Sequence, residues 1–81
     1  MAKGAALAQP SSATKAAVLL TEYSFVRLNR PVNAGGVTYP AGSRGVIVHR
    51  HDDGIGFEVE FEQPAFRVIT LTASDIRPDN A

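Results

Sequence analysis

The sequence contains no cysteine and no tryptophan, and its longest unbroken apolar run, Ala16 to Leu20, is five residues long. A chain without cysteine forms no disulfide, no thiolate metal site and no thiol nucleophile. A membrane span needs about 20 apolar residues. We therefore expect neither a disulfide framework nor a membrane segment.

A net charge is also lacking, because eight lysines and arginines balance eight acids over 81 residues. The charge is nevertheless divided along the chain. The first 20 residues carry Lys3 and Lys15 and no acid, whereas residues 21–81 carry six arginines and eight acids. Residues 21–81 therefore carry a net charge of −2, from six arginines and eight acids. Domains that hold nucleic acid through phosphate contacts usually carry a positive net charge. We therefore expect no broad electrostatic binding of nucleic acid.

Hydrophobic residues make up 44% of the chain, which is typical of one small globular domain. The first 20 residues lack aromatics and are rich in alanine and serine. They predict a flexible tail, with a short helix over 13–20 that forms only when it is docked. No apolar stretch of signal-peptide length precedes Ala6–Ala8, so we expect a cytoplasmic protein. Residues 21–81 form the predicted domain.

From Ser24 to Pro78 apolar residues recur with period two, which is typical of half-buried strands. The pattern predicts a short last strand around Ile76, after one helical turn over 72–75, and four earlier strands over 24–30, 44–50, 56–62 and 66–72. Asp53-Gly54 and Pro64 mark two tight turns. Glycines within 33–36 and 40–42 interrupt a long loop between the first two strands. The expected fold is all-β, a small sheet of five strands that closes into a barrel to hide its edges.

The segment 41–48 reads AGSRGVIV, in which two glycines three residues apart precede a β-branched run. This pattern resembles SH3-like barrels, among them domains of the KOW type and the smaller subunit of nitrile hydratase. The chain is also similar, over residues 24–78, to a family of short bacterial proteins of unknown function. The matching positions are Val26, Leu28, Pro31, Gly42, Gly45, Val46, Val48, Val59, Glu60, Phe61, Leu71, Ile76, Arg77 and Pro78. The resemblance implies a five-stranded SH3-like barrel and assigns no activity.

His49 and His51, followed by Asp52 and Asp53, form the cluster that most resembles a metal site. Residues two apart on a strand project to the same side, so both imidazoles could approach one ion. Because the spacing fixes no third ligand, we interpret the segment as a polar strand end whose aspartates cap the turn. No serine or cysteine nucleophile is tied to the cluster. We expect no metal, no cofactor and no catalysis.

Glu58, Glu60 and Glu62 form an acidic row on one side of the third predicted strand. Such a row could meet a basic surface of a partner protein and steer its approach. The interpretation that we favour is an ordinary solvated face, with Arg50 and Arg67 as cross-strand partners. Both interpretations disfavour nucleic acid on this face.

The aromatic residues suggest lids or contacts at the ends of the strands. Tyr23 and Phe25 are interpreted as lids of the barrel, whereas Tyr39 and Phe66 fit either a lid or an interface. Many SH3-like barrels bind partners between the first long loop and the next hairpin. This position makes Arg30 and Arg44 candidate contacts together with Tyr39. A proline-peptide groove is not supported, because it needs tryptophan and clustered aromatics. The candidate partner contacts are Arg30, Tyr39, Arg44, Glu58, Glu60 and Phe66.

Together these features predict a non-catalytic bacterial module that binds a protein partner. An accessory protein of the immunity or antitoxin type is one role of this kind. Two alternatives stay open: self-association through residues 13–20 exchanged between subunits, and nucleic-acid binding, as in KOW-type barrels, through Arg27, Arg30, Arg44 and Arg50.

Overall fold

The computed structural model describes residues 20–79, and this part of the chain folds into β-strands joined by short turns. The predicted tail, and the helix expected within it, lie outside the described residues except for Leu20. In the described part, no helix is long and apolar enough to cross a membrane. The elements in chain order are β1 Phe25–Leu28, β2 Val32–Ala34, β3 Val37–Tyr39, β4 Arg44–Arg50, β5 Gly56–Phe61, β6 Arg67–Thr72, a turn of 3-10 helix Ala73–Asp75 and β7 Ile76–Pro78.

Five of the strands form one antiparallel sheet in the order β6-β5-β4-β1-β7, and β2 pairs with β3 in a separate hairpin. The all-β prediction and the 3-10 turn before the last strand are confirmed. The expected closed barrel is not formed, because β6 and β7 remain the two edges of the sheet. The shortness of β7 and the lack of an N–H group in Pro78 leave its outer edge few groups with which to pair.

The core lies on one side of this sheet. Period-two alternation places Phe57, Val59 and Phe61 of β5 inward, at 3%, 0% and 0% exposure, as the sequence predicts. Leu20, at the end of the predicted tail, is also buried in this core. The complete set of buried apolar residues is Leu20, Val26, Leu28, Tyr39, Ile47, Phe57, Val59, Phe61, Leu71 and Ile76.

The β2–β3 hairpin occupies the segment that the sequence predicts as a long loop. Its turn is Gly35-Gly36, with φ of 59° and 77°, and glycine adopts positive φ without strain. Tyr39 at the end of β3 reaches the core, where its ring centroid lies 5.4 Å from that of Phe61. Its hydroxyl donates to the carbonyl of Ala65 at 2.6 Å. The hairpin is thereby fixed to the β5–β6 turn.

The outer edge of β6 carries main-chain groups that the sheet does not use. Gly56 lies opposite Thr72, and its carbonyl accepts a hydrogen bond from His51 on the β4 side. Since main-chain groups alternate in direction along a strand, those of Thr72, Thr70 and Val68 point away from β5. Thr72 N–H finds a partner in Asp75, at 2.9 Å. The N–H groups of Val68 and Thr70 have none among residues 20–79.

This arrangement predicts an alternating pattern of amide hydrogen exchange along β6. In dilute protein, the amides of Val68 and Thr70 should exchange about 10³-fold faster than those of Ile69 and Leu71, which donate to β5. Exchange followed residue by residue by NMR measures the difference. Slow exchange at Val68 and Thr70 would contradict the position of β6 at the edge of the sheet, because it would require a further strand there.

Candidate binding surface on the outer sheet face

The side of the five-stranded sheet that faces away from the core is called the outer face. One row of directly opposite residues crosses four of its strands, with Phe25, Val46, Glu60 and Val68 on β1, β4, β5 and β6. Phe25 and Val68 are 48% and 45% exposed. The outer face therefore carries an apolar pair, Phe25 and Val46, and a separate apolar side chain, Val68, on the far side of the Glu60 carboxylate.

The arginines of the outer face form the next row along the strands, in which Arg77, Arg27 and Arg44 are directly opposite one another on β7, β1 and β4. Arg27 and Arg44 are directly opposite each other, and their Nε atoms lie 3.4 and 2.8 Å from the same oxygen, Oδ2 of Asp79. The Arg44 guanidinium also lies 3.8 Å from the centroid of the Phe25 ring, in cation–π contact. These two contacts turn Arg44 towards β1 and away from β5.

The glutamate row lies on the β5 side, and its members differ in their contacts. Glu58 accepts a hydrogen bond from Thr70 at 2.8 Å and lies 2.6 Å from His51 Nε2. The hydrogen bond from Thr70 holds the pKa of Glu58 below its usual value, and His51 adds to this effect. Glu60 and Glu62, by contrast, form no ion pair or hydrogen bond with any side chain in the described part of the chain.

The prediction that Arg50 and Arg67 are cross-strand partners of these glutamates is wrong. Arg67 is opposite Phe61 in the register, and its guanidinium packs on Gly35 of the hairpin, which lies over the inner side of the sheet. Arg50 is opposite Phe57, at the far end of β4. Glu58 is therefore paired with His51, whereas neither arginine pairs with Glu60 or Glu62.

A cleft of about 540 Å³ opens on the outer face between the arginine row and the glutamate row. This volume is in the range of small-ligand sites. Phe25 and Val46 form the apolar floor of the cleft, and Arg44 and Glu60 line two of its sides. The full lining is Phe25, Pro40, Ser43, Arg44, Gly45, Val46, Glu60, Glu62, Gln63 and Pro64.

The structure places the six candidate contacts at different sites. Arg44 and Glu60 come together in the cleft, and Glu58 lies on the same strand but is engaged by His51. Phe66, just before β6, is 66% exposed. Arg30 pairs with Asp75 instead of lining the cleft.

Tyr39 is the candidate that the structure overturns. It is 0% exposed and packs in the core, so its side chain has no surface to offer a partner. The lid interpretation of two other aromatics is also wrong, because Tyr23 is 75% exposed and Phe25 forms part of the outer face. Alternation along β1 is the signal for Phe25, since it lies next to the inward-facing Val26.

The two histidines point to separate carboxylates. His49 Nδ1 lies 3.5 Å from Glu22, His51 contacts Glu58, and the two ring centroids are 5.6 Å apart. Within residues 20–79, no group of three or more histidine, aspartate or glutamate side chains is placed to hold a metal ion. Asp53 caps the turn as predicted, because its Oδ1 accepts from the N–H of Ile55 at 2.8 Å. This hydrogen bond lowers the pKa of Asp53.

Comparisons of the chain with protein-family models, with curated proteins and with solved structures found no match. The outer face is therefore interpreted from its own geometry and charge. It combines exposed apolar side chains, a cleft and two carboxylates that have no partner in the described chain.

Proposed function

We propose that the protein is a non-catalytic protein-binding module with an SH3-like scaffold, and that it binds its partner through the outer face. The strand order supports this scaffold, because the first strand is flanked by the last strand and by the strand that follows the hairpin. A hairpin after the first long strand and a 3-10 turn before the last strand fit the same layout. In this proposal the five-stranded sheet has the strand order of an SH3-like barrel but stays open between β6 and β7.

The observation that carries the binding proposal is the apolar character of the outer face. A sheet with one face on a core usually presents polar side chains on the other face. Here Phe25 and Val68 lie on that other face, each about half exposed, and Phe66 is exposed just before β6. Clustered apolar side chains rimmed by charges are typical of protein interaction sites.

The arginine positions favour a protein partner over nucleic acid. Arg27 and Arg44 share Asp79, and Arg30 is paired with Asp75. Arg50 is six residues from Arg44 along β4, about 20 Å at 3.3 Å per residue. These four arginines therefore form no continuous basic stripe. The row of Arg77, Arg27 and Arg44 is short, about 10 Å across three strands, and Asp79 offsets part of its charge, so it does not follow a phosphate backbone.

The test uses capture from cell lysate by two matched variants. Val68→Ser removes a β-branched side chain from the outer face, and Ile55→Ser removes one of similar exposure, 62%, from the β4–β5 turn. We expect wild type and Ile55→Ser to retain the same stoichiometric protein after nuclease treatment. Val68→Ser should reduce its recovery at least about tenfold, since burying a valine side chain contributes about 1.5–3 kcal/mol and serine loses that contribution.

Equal recovery by both variants would contradict the proposal that the outer face is the binding surface. Recovery that disappears with nuclease would instead favour the nucleic-acid alternative. Both variants should first be shown by circular dichroism to be folded, which is expected because neither side chain belongs to the core.

A further inference from the structure

We propose that the cleft on the outer face binds a lysine or arginine side chain carried by an extended segment of the partner protein. This inference rests on the proposed function and specifies the chemistry of the partner. The basic group would lie between Glu60 and Glu62, and an apolar neighbour in the same segment would pack on Phe25 and Val46.

The charges of the cleft select a cation. Arg44 is already committed to Asp79 and to the face of the Phe25 ring. Glu60 and Glu62 have no partner in the described chain, and Glu60 is only partly exposed. A carboxylate that is partly removed from water without an ion pair has lost hydration without compensation. A lysine or arginine supplies the missing charge, and it does so in a charge-assisted hydrogen bond.

The same charges disfavour an anionic occupant. A phosphate or an acidic side chain that approached Arg44 from the cleft would meet a group of two arginines and one carboxylate, Arg27, Arg44 and Asp79, whose single net positive charge is smaller than the two negative charges of Glu60 and Glu62. It would also lie beside the carboxylates of Glu60 and Glu62, where like charges repel. The cleft thus favours a cation over an anion, although Arg44 is one of its lining residues.

The spacing of the cleft fits an extended segment that crosses the strands. Glu60 is directly opposite Val46, and Val46 is directly opposite Phe25. The distance from β5 to β1 is therefore two strand spacings, about 10 Å, with the apolar floor between. Residues two apart in an extended chain are separated by about 7 Å. A basic residue with an apolar residue two positions away can therefore place one side chain on the glutamates and the other on the floor.

The test is an NMR titration of the isotope-labelled full chain with two blocked pentapeptides. One is acetyl-Ala-Val-Ala-Lys-Ala-amide, and the other has glutamate in place of lysine. We expect the lysine peptide to shift the amide signals of Phe25, Val46 and Glu60, and to bind at least about fivefold more tightly than the glutamate peptide. Its affinity should fall as salt is raised.

The matched variants are Glu60→Gln and Asp52→Asn. Each removes one carboxylate charge that has no partner among residues 20–79, but Asp52 lies in the β4–β5 turn outside the cleft. Glu60→Gln should weaken binding of the lysine peptide about tenfold, whereas Asp52→Asn should change it less than about twofold. Glutamine keeps the shape of the side chain on the outer face, so the fold should be retained.

The proposal is overturned if the two peptides bind equally, if Glu60→Gln has no effect, or if the lysine peptide does not bind at 10 mM, on the order of the weakest affinities that such a titration measures. Failure of the proposed function has a different signature. If Glu60→Gln captures the lysate protein as well as wild type while Val68→Ser does not, the outer face remains the binding surface and only the basic chemistry is wrong.

Discussion

Replacing Tyr39 by alanine is expected to lower the free energy of unfolding by about 3–5 kcal/mol, the range for large aromatic side chains in cores. The physical reason is that Tyr39 has no exposed surface and joins the β2–β3 hairpin to the sheet. Its ring packs against Phe61, and its hydroxyl donates to Ala65. Urea unfolding followed by circular dichroism measures the loss. A domain of this size has little stability in reserve, so Tyr39→Ala should be largely unfolded at 37 °C.

Tyr39→Phe is the matched control, since it removes only the hydroxyl. It should cost about 1–2 kcal/mol, because the Ala65 carbonyl then loses its hydrogen bond. If Tyr39→Ala were as stable as wild type and lost only partner binding, Tyr39 would be a surface contact and the hairpin packing described here would be wrong.

Replacing Asp75 by alanine is expected to lower the free energy of unfolding by about 2–3 kcal/mol near pH 6, from the loss of a cap and of charge-assisted hydrogen bonds. Asp75 is 9% exposed. It accepts from the Thr72 N–H at 2.9 Å, from the Thr72 hydroxyl at 3.1 Å, and from Arg30. These contacts fix the 3-10 turn and the beginning of β7, and they attach the end of β1 to that turn.

The effect of Asp75 should depend on pH. The N–H of Thr72 lowers the pKa of Asp75 below its usual 3.8, and Arg30 lowers it further. A lowered pKa in the folded state means that the stabilisation is complete above pH 3.8 and is lost as the pH falls through the folded value. The stability difference between wild type and Asp75→Ala should therefore be full at pH 6 and should shrink as the pH falls below 3.8.

Asp52→Ala is the control for this series, because its carboxylate is exposed and has no partner in the described chain. It should change the free energy of unfolding by less than about 0.5 kcal/mol at either pH. A difference between wild type and Asp75→Ala that stays constant down to pH 2 would contradict the role of the ionised carboxylate. Urea titrations at each pH measure both differences.

The sequence predicts the long strands well because their local signals are strong. The β-branched run from Val46 to Val48 and the alternation from Phe57 to Phe61 give strands at the observed positions, β4 and β5. The glycine motif before β4 also has the expected physical basis. Gly42 has φ of 87°, and a side chain on Gly45 would approach Phe61 and Val59 within 2.8 Å.

The β2–β3 hairpin could not be predicted from periodicity, because three residues are too few to show a period of two. The Gly35-Gly36 turn is the local signal that identifies it, since paired glycines favour a two-residue hairpin turn. The position of Tyr39 cannot be predicted for the same reason. Its burial depends on the hairpin folding over the sheet, which is a tertiary arrangement.

The sequence predicts which glutamates lie on the outer face, but it does not predict how the arginines are oriented there. Alternation along β5 places Glu58 and Glu60 outward, and this holds in the structure. The orientation of Arg44 does not follow, because it depends on Asp79, 35 residues away, being brought beside β1 by the pairing of β7. The cleft therefore appears only in three dimensions.

The most direct test of the central claim is to map the captured partner onto this chain. The partner retained by the nuclease-treated wild-type protein is purified and titrated into the isotope-labelled chain, and amide signals are followed by NMR. We predict that the largest changes fall on the outer-face residues Phe25, Val46, Glu60 and Val68. Changes confined to the β2–β3 hairpin or to the β4–β5 turn would contradict the claim that the outer face is the binding surface.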